Sequence, residues 1–389
     1  IFCQKYGGSG TAGFLDPLEL ELSDNPVKLI NAVAASDQGI IILYALEADN
    51  EQVDMKLQKI DALGQALWAN AGCTVASQVD IKQPATKICA NSIGGAYVLH
   101  EGEYTTQGNI ISGMNLDACG TNIWTAPQES IYPDVYAVKQ LLLADNGNLI
   151  FCLTGYQKQS FHQVDANGNV LGSNPLFSLT DPIPTNAAML KSVDGSIMLY
   201  TNDAYNLNAL GLQLLDANLA PVFSSVKEIP LNIYAQAITA ERLVDGGFML
   251  SYHYEISAQE DQHTLKTHRL DSNLDELWAS GAAEIPVSGN TLFMLDTATD
   301  MASNLWLTAC VVDSEYYNGR VLIAKLDENG NTIFLHQAVS SEIQPKSYPK
   351  LSVYGDSAML NWGEHDGDNI MMKRQIFDAQ GNELLQDNG

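Results

Sequence analysis

Along most of the chain, short runs of alternating apolar and polar residues, such as Leu18-Glu19-Leu20-Glu21-Leu22, are broken by clusters of Gly, Asn and Asp. Alternation with a period of two predicts half-buried strands, and the clusters predict the turns between them. One turn recurs seven times, in KIDALGQALW, NLDACGTNIW, QVDANGNVLG, LLDANLAPVF, RLDSNLDELW, KLDENGNTIF and IFDAQGNELL. Its anchors are Asp61, Asp117, Asp165, Asp216, Asp271, Asp327 and Asp378, separated by 48 to 56 residues. The residue before each Asp and the residue six after it are apolar in every copy, which predicts a core anchor on each side of a hairpin. Asp bonds its own backbone two residues on, and Gly three after it, in five of the seven copies, supplies positive φ. Seven after the Asp stands an aromatic in five copies: Trp68, Trp124, Phe223, Trp278 and Phe334. That placement predicts packing between neighbouring repeats.

A second turn precedes each hairpin and opens an apolar run, as in SDQGIIILY, DNGNLIFCL and VDGGFMLSY. Each repeat reads as strand, short turn, strand, variable loop, strand, Asp turn, strand. A repeat of this length matches a four-stranded propeller blade, and seven copies fill the chain where eight would overrun it. The predicted fold is all-β: a seven-bladed β-propeller of four-stranded antiparallel blades. Residues 18–389 form one domain, and residues 1–17 form an N-terminal tail or tether. The strand at Leu18–Leu22 is expected to join blade seven and close the ring, protecting its sheet edges. The chain ends 11 residues after Asp378, room enough for a last strand.

Charge removes several function classes. The 19 Lys and Arg stand against 46 Asp and Glu, a net charge of -27 that repels nucleic-acid backbones and anionic lipid surfaces. No apolar run is long enough for a membrane-spanning helix. The six cysteines show no CxxC spacing, so neither a zinc site nor a thioredoxin-type redox motif is predicted. Cys152 and Cys310 follow apolar runs and are expected to be buried thiols, and Cys73 and Cys89 are a candidate pair that nothing requires.

The xLDxNGNxxW turn, best seen in KLDENGNTIF and QVDANGNVLG, resembles the repeats of extracytoplasmic bacterial β-propeller proteins, especially Bacteroidota outer-membrane and surface proteins. The resemblance runs from about Leu18 to Gly389 and implies a place at the outer membrane, the cell surface or the periplasm. Ile1 in place of Met fits removal of a leader or tag. Cys3, followed by Gln4, Lys5 and the GGSG stretch, looks like the lipid-bearing cysteine of a bacterial lipoprotein. An ordinary flexible N-terminus is the alternative.

In a propeller the longer loops between strands two and three, and between blades, are expected to carry function. Ten of the sixteen tyrosines fall there, among them Tyr104, Tyr132, Tyr136, Tyr156, Tyr205, Tyr254, Tyr316, Tyr317 and Tyr348. With Trp362 and His365 they form the candidate binding face, since tyrosine joins apolar area to a polar tip. The same loops hold His100, Glu101, His253 and Glu364, but no HExxH or Ser-His-Asp signature accompanies them. Neither catalytic residues nor metal or cofactor sites are predicted. The DANGN and GEHDGDN segments lack the acidic twelfth position of an EF-hand loop, and four scattered arginines make no carboxylate-binding triad. The expected function is a non-catalytic scaffold at the bacterial cell envelope that docks a protein partner or an outer-membrane complex through this tyrosine-rich loop face. A glycan-binding or glycan-cleaving propeller, stacking sugars on Trp362 and loop tyrosines, is the alternative.

Overall fold

In the computed structural model, seven consecutive stretches each fold into one antiparallel meander whose strand order follows the chain. Six sheets have four strands and span residues 27–80, 86–132, 135–177, 184–230, 235–288 and 291–336; the seventh, 346–377, has three. The structure describes residues 2–3, 18–19, 27–47, 52–68, 72–80, 86–105, 108–124, 128–132, 135–155, 158–177, 184–191, 197–203, 209–216, 218–230, 235–255, 262–279, 281–288, 291–312, 319–336, 339, 346–366 and 369–385. The chain divides into two compact units, one holding the first three sheets and the turn Leu215–Val222, the other the fourth to seventh sheets.

The Asp turn forms as its chemistry dictates. Asp61 Oδ1 accepts N–H groups from Leu63 at 2.9 Å and Gln65 at 2.8 Å, and the other six anchors repeat both bonds. The third residue after the Asp is left-handed in all seven copies. Five are glycines, but Leu219 (φ 61°) and Leu274 (φ 60°) adopt the same backbone at a cost of about 1–3 kcal/mol each. Both side chains are buried, and burial of a leucine returns roughly 2 kcal/mol.

Within each unit, successive sheets are joined through the aromatic seven after the Asp. The indole N–H of Trp68 donates to Ala118 O at 2.9 Å, that of Trp124 to Ala166 O at 2.9 Å, and that of Trp278 to Glu328 O at 3.0 Å. Each acceptor is the residue after the Asp of the next turn. The ring lies on that turn's glycine: a Cβ on Gly120 would stand 2.9 Å from Trp68, and one on Gly381 2.5 Å from Phe334. Gln58 holds its end of the joint, accepting from Trp68 N–H at 3.0 Å and donating to Trp68 O at 3.1 Å. Gln213 grips Phe223 and Gln375 grips Leu385 in the same way.

The core is a series of sheet-to-sheet layers. One joins the first and second sheets through Leu43, Leu57, Trp68 and Val98, and another joins the fifth and sixth through Met249, Ile285, Leu307 and Leu322. Strand Leu305–Val312 is buried at every position because it has apolar neighbours on both faces.

Two expectations change. The apolar residue six after the Asp is not a core anchor: it is half-exposed in all seven copies, from 42% for Ile123 to 54% for Leu171. Neighbouring strand residues face opposite ways, so a ring turned onto the next sheet turns its predecessor out. The terminal strands also differ. Leu18 and Glu19 pair with Cys3 and Phe2, not with the seventh sheet, and residues 20–22 lie outside the described residues. Among the described residues after Asp378 the chain makes one bridge, Phe377 to Glu383, and the expected last strand falls on residues 386–389, outside them.

Replacing Trp124 with Phe removes the N–H bond to Ala166 and some of the ring's packing, and should cost about 1–3 kcal/mol. Trp124→Ala should cost about 3–5 kcal/mol, both read as shifts of the urea midpoint at constant m. Gly120→Ala, which forces a methyl onto the Trp68 ring, should destabilise more than Trp124→Phe.

Candidate functional site

A polar network crosses the first strands of the fifth, sixth and seventh sheets: Ala235–Arg242, Thr291–Thr299 and Lys346–Tyr354. Each has a bulge, between Gln236 and Thr239, Phe293 and Asp296, and Ser347 and Lys350. A bulge re-aims the side chains beside it. Thr297 Oγ1 donates to Glu241 Oε1 at 3.0 Å and lies 3.0 Å from Thr239 Oγ1. Asp296 accepts Lys350 Nζ and the Leu351 N–H, both at 2.8 Å. Burial pushes the Glu241 carboxyl up to about 7, and the nearby Asp296 charge adds to the rise; Thr297 and Lys350 oppose it.

Four of the acids and imidazoles singled out in the sequence, His100, Glu101, His253 and Glu364, have described side chains, and these lie inside the scaffold. His100 is buried, its Nδ1 2.7 Å from Thr86 Oγ1, and burial lowers its pKa. The Glu101 carboxylate accepts the Val138 N–H of the third sheet. Glu364 is buried, accepts the Trp362 indole N–H at 2.9 Å, and lies 3.8 Å from Lys346 Nζ. His253 is buried as well.

Among the expected face residues, Tyr348 is 64% exposed, on a left-handed backbone of φ 51°. Its N–H points at Met294 Sδ, 3.2 Å away. Trp362 is a correction: its ring is fully buried in the layer between the sixth and seventh sheets, so it offers no face for sugar stacking. Tyr104, Tyr132, Tyr136, Tyr254 and His365 lie in strands, with side chains outside the described residues. Tyr156, Tyr205, Tyr316 and Tyr317 lie outside them altogether. Strand Phe2–Cys3 places the Cys3 backbone but not its side chain.

Cys73 and Cys89 are both free thiols, with Cys73 Sγ 2.8 Å from Gly120 O. Cys152 and Cys310 are buried, and their thiols are pushed up to about 12. No group of three metal-ligating side chains occurs among the described residues.

One set of residues has a sequence signal of its own, two before the Asp. Lys59 pairs with Asp37 of its own first turn at 2.5 Å and donates to Gly94 O of the next sheet at 2.6 Å. Arg269 pairs with Asp245 and donates to Glu328 O; Asn115 bonds Asn91 and Ala166 O. Lys325 sits 3.1 Å from Asp300 and 4.4 Å above the Trp306 ring. These are scaffold latches. A cation or amide at that position in several repeats was their signal.

No protein-family model matches the chain, and no curated protein matches it. Solved structures do. It is similar to the BP39L lectin from Burkholderia pseudomallei at 11% identity and a TM-score of 0.58, over 93% of this chain and 97% of that one. It is similar to the polysaccharide lyase Uly1 at 8% identity and TM-score 0.51, over 90% and 89% of the two chains. A polysaccharide lyase of family PL25, an ulvan lyase, matches at 9% identity and TM-score 0.51, over 91% and 92%. These likenesses show the fold: an all-β, propeller-like arrangement of antiparallel four-stranded sheets.

Glu241 gives a pH signature. Its pKa in the fold, about 7, lies above the ordinary 4.5, so its contribution to stability is full below pH 4.5 and is lost as pH rises to 7. Glu241→Gln should flatten that loss, worth on the order of 3 kcal/mol at most, in unfolding midpoints compared at pH 5 and pH 8.

Proposed function

We propose that the seven sheets are the blades of one closed propeller that serves as a non-catalytic binding scaffold. It acts outside the bacterial cytoplasm, at the cell envelope, and docks a protein partner through a tyrosine-bearing face on which Tyr348 stands in the strand Lys346–Tyr354 and not in a loop. Tyr348 carries this reading. A non-glycine residue in the left-handed region costs about 1–3 kcal/mol. Leu219 and Leu274 offset that cost by burying their side chains, whereas the Tyr348 ring stays 64% exposed. A strained backbone that presents an uncovered aromatic suits a contact made with another molecule.

The engaged state of the acids supports binding over turnover. His100, Glu101 and Glu364 are tied to Thr86, Val138 and Trp362, so no pair among them is left to exchange protons with a substrate. Cys3 is the proposed lipid anchor.

The protein purified from detergent-solubilised envelopes should carry a stoichiometric partner and an acylated Cys3 peptide by mass spectrometry. Tyr348→Ala should weaken that partner at least tenfold while the melting temperature holds, since alanine keeps the same left-handed strain and little buried area is lost. Undiminished partner binding by Tyr348→Ala would remove Tyr348 from the contact. A lone protein that binds a glycan array would replace the protein partner with a sugar, the ligand class of the lectin that shares its architecture.

A further inference from the structure

An open cavity of about 460 Å³ lies at the short-turn ends of the first strands of the fifth, sixth and seventh sheets. Arg242, Val244, Thr299, Asp300, Met301 and Val353 line it. Its apolar rim is unusually bare: Val244 is 59% exposed and Met301 79%. All three strands belong to the second compact unit.

The polar groups of this cavity are spoken for, with one exception. Asp300 is buried; its Oδ1 accepts N–H groups from Ala302 at 3.0 Å and Asn304 at 2.9 Å. Its Oδ2 takes the Asn304 amide at 2.9 Å and Lys325 Nζ at 3.1 Å, so its charge is neutralised from within. Thr299 donates to the Arg242 carbonyl at 3.2 Å. Asp245, three residues along from Arg242, is bound to Arg269 at 2.8 Å. The Arg242 guanidinium has no hydrogen bond or ion pair among the described residues. Arg269, Arg320 and Arg374 all have partners there.

We propose that this cavity binds the carboxylate end of a small apolar molecule: Arg242 takes the carboxylate, and Val244, Met301 and Val353 take the apolar body. A planar guanidinium holds a carboxylate through two parallel N–H bonds, a geometry that fixes direction as well as charge. The volume suits a ligand of amino-acid to short-peptide size. A net charge of -27 repels anions from a distance, but at physiological salt screening acts within about 8 Å, so the local cation governs at the wall. The same charge disfavours polyanions and selects a ligand with one negative group and an apolar remainder. Both a free fatty-type acid and the C-terminus of a peptide present that chemistry.

The test is calorimetric titration of the full chain with hexanoate, N-acetyl-leucine and N-acetyl-leucinamide. The inference expects saturable binding of at least one carboxylate, and at least tenfold weaker binding of the amide. Preference for N-acetyl-leucine over hexanoate assigns a peptide end, and the reverse assigns a free acid. Arg242→Met, which keeps the apolar stem and disturbs no side-chain bond among the described residues, should lose the carboxylate at least tenfold with the melting temperature unchanged. Met301→Ser should weaken it several-fold. Equal affinity for acid and amide, no saturation by either carboxylate, or wild-type binding by Arg242→Met overturns the proposal.

Discussion

An indole N–H on one sheet, donated to a backbone carbonyl in the turn of the next, is the interaction on which the arrangement within each unit rests. A four-stranded meander with apolar residues on both faces cannot stand alone in water. It needs a neighbour at a fixed distance and a fixed height. Dispersion between the layers supplies attraction but little direction, because apolar surfaces slide over one another at small cost. The bond from Trp68 to Ala118, repeated by Trp124 and Trp278, fixes height to within a hydrogen bond's tolerance. Gln58 then fixes the angle of the donor from behind.

Buried cations add a second, costlier constraint. Lys59 and Lys325 are almost wholly buried, and desolvating an ammonium group costs several kcal/mol. Each recovers that cost through a carboxylate of its own sheet and a carbonyl of the next, Gly94 O for Lys59 and Asp356 O for Lys325, which also lies over the Trp306 ring of its own sheet. A misplaced neighbour would leave such an ammonium short of one acceptor, so these residues favour the right arrangement over wrong ones. The chain's acidity is partly an outcome of this design. Many of its aspartates are turn components: at Asp165, Asp327 and Asp378 the side-chain amide of the Asn four residues on, with backbone N–H groups beside it, holds the carboxyl below the ordinary range.

The repeat was legible because everything that makes it lies within a dozen residues: the Asp, the left-handed residue, the ring. The same locality misled at the position after the turn, where Leu67 and Ile333 are apolar without being covered. Strand alternation, and not apolarity alone, decides which of two neighbouring residues faces the core. Trp362 failed for a related reason, since the polar residues that follow it suggested a loop while the ring lies in a core layer. The network of Glu241, Thr297, Asp296 and Lys350 had no local signature, because its members are spread over the first strands of three repeats. Of the tyrosine face, only Tyr348 has a described exposed ring, and its left-handed backbone had no motif to announce it.

The joints are not copies of one another. Trp68 lies on Gly120, and Trp278 on Gly330, each against a turn residue without a side chain. Phe223, with a smaller ring, shares its layer with Leu274, a turn residue that does have one. Each fit is therefore written half in one repeat and half in the next. A repeat duplicated or exchanged whole would bring a ring without its matching turn, whereas a segment cut from mid-sheet to mid-sheet carries both halves. The heritable unit of this chain is thus the seam, offset from the sheet by half a period, and mutations across it should be tolerated in complementary pairs more readily than singly.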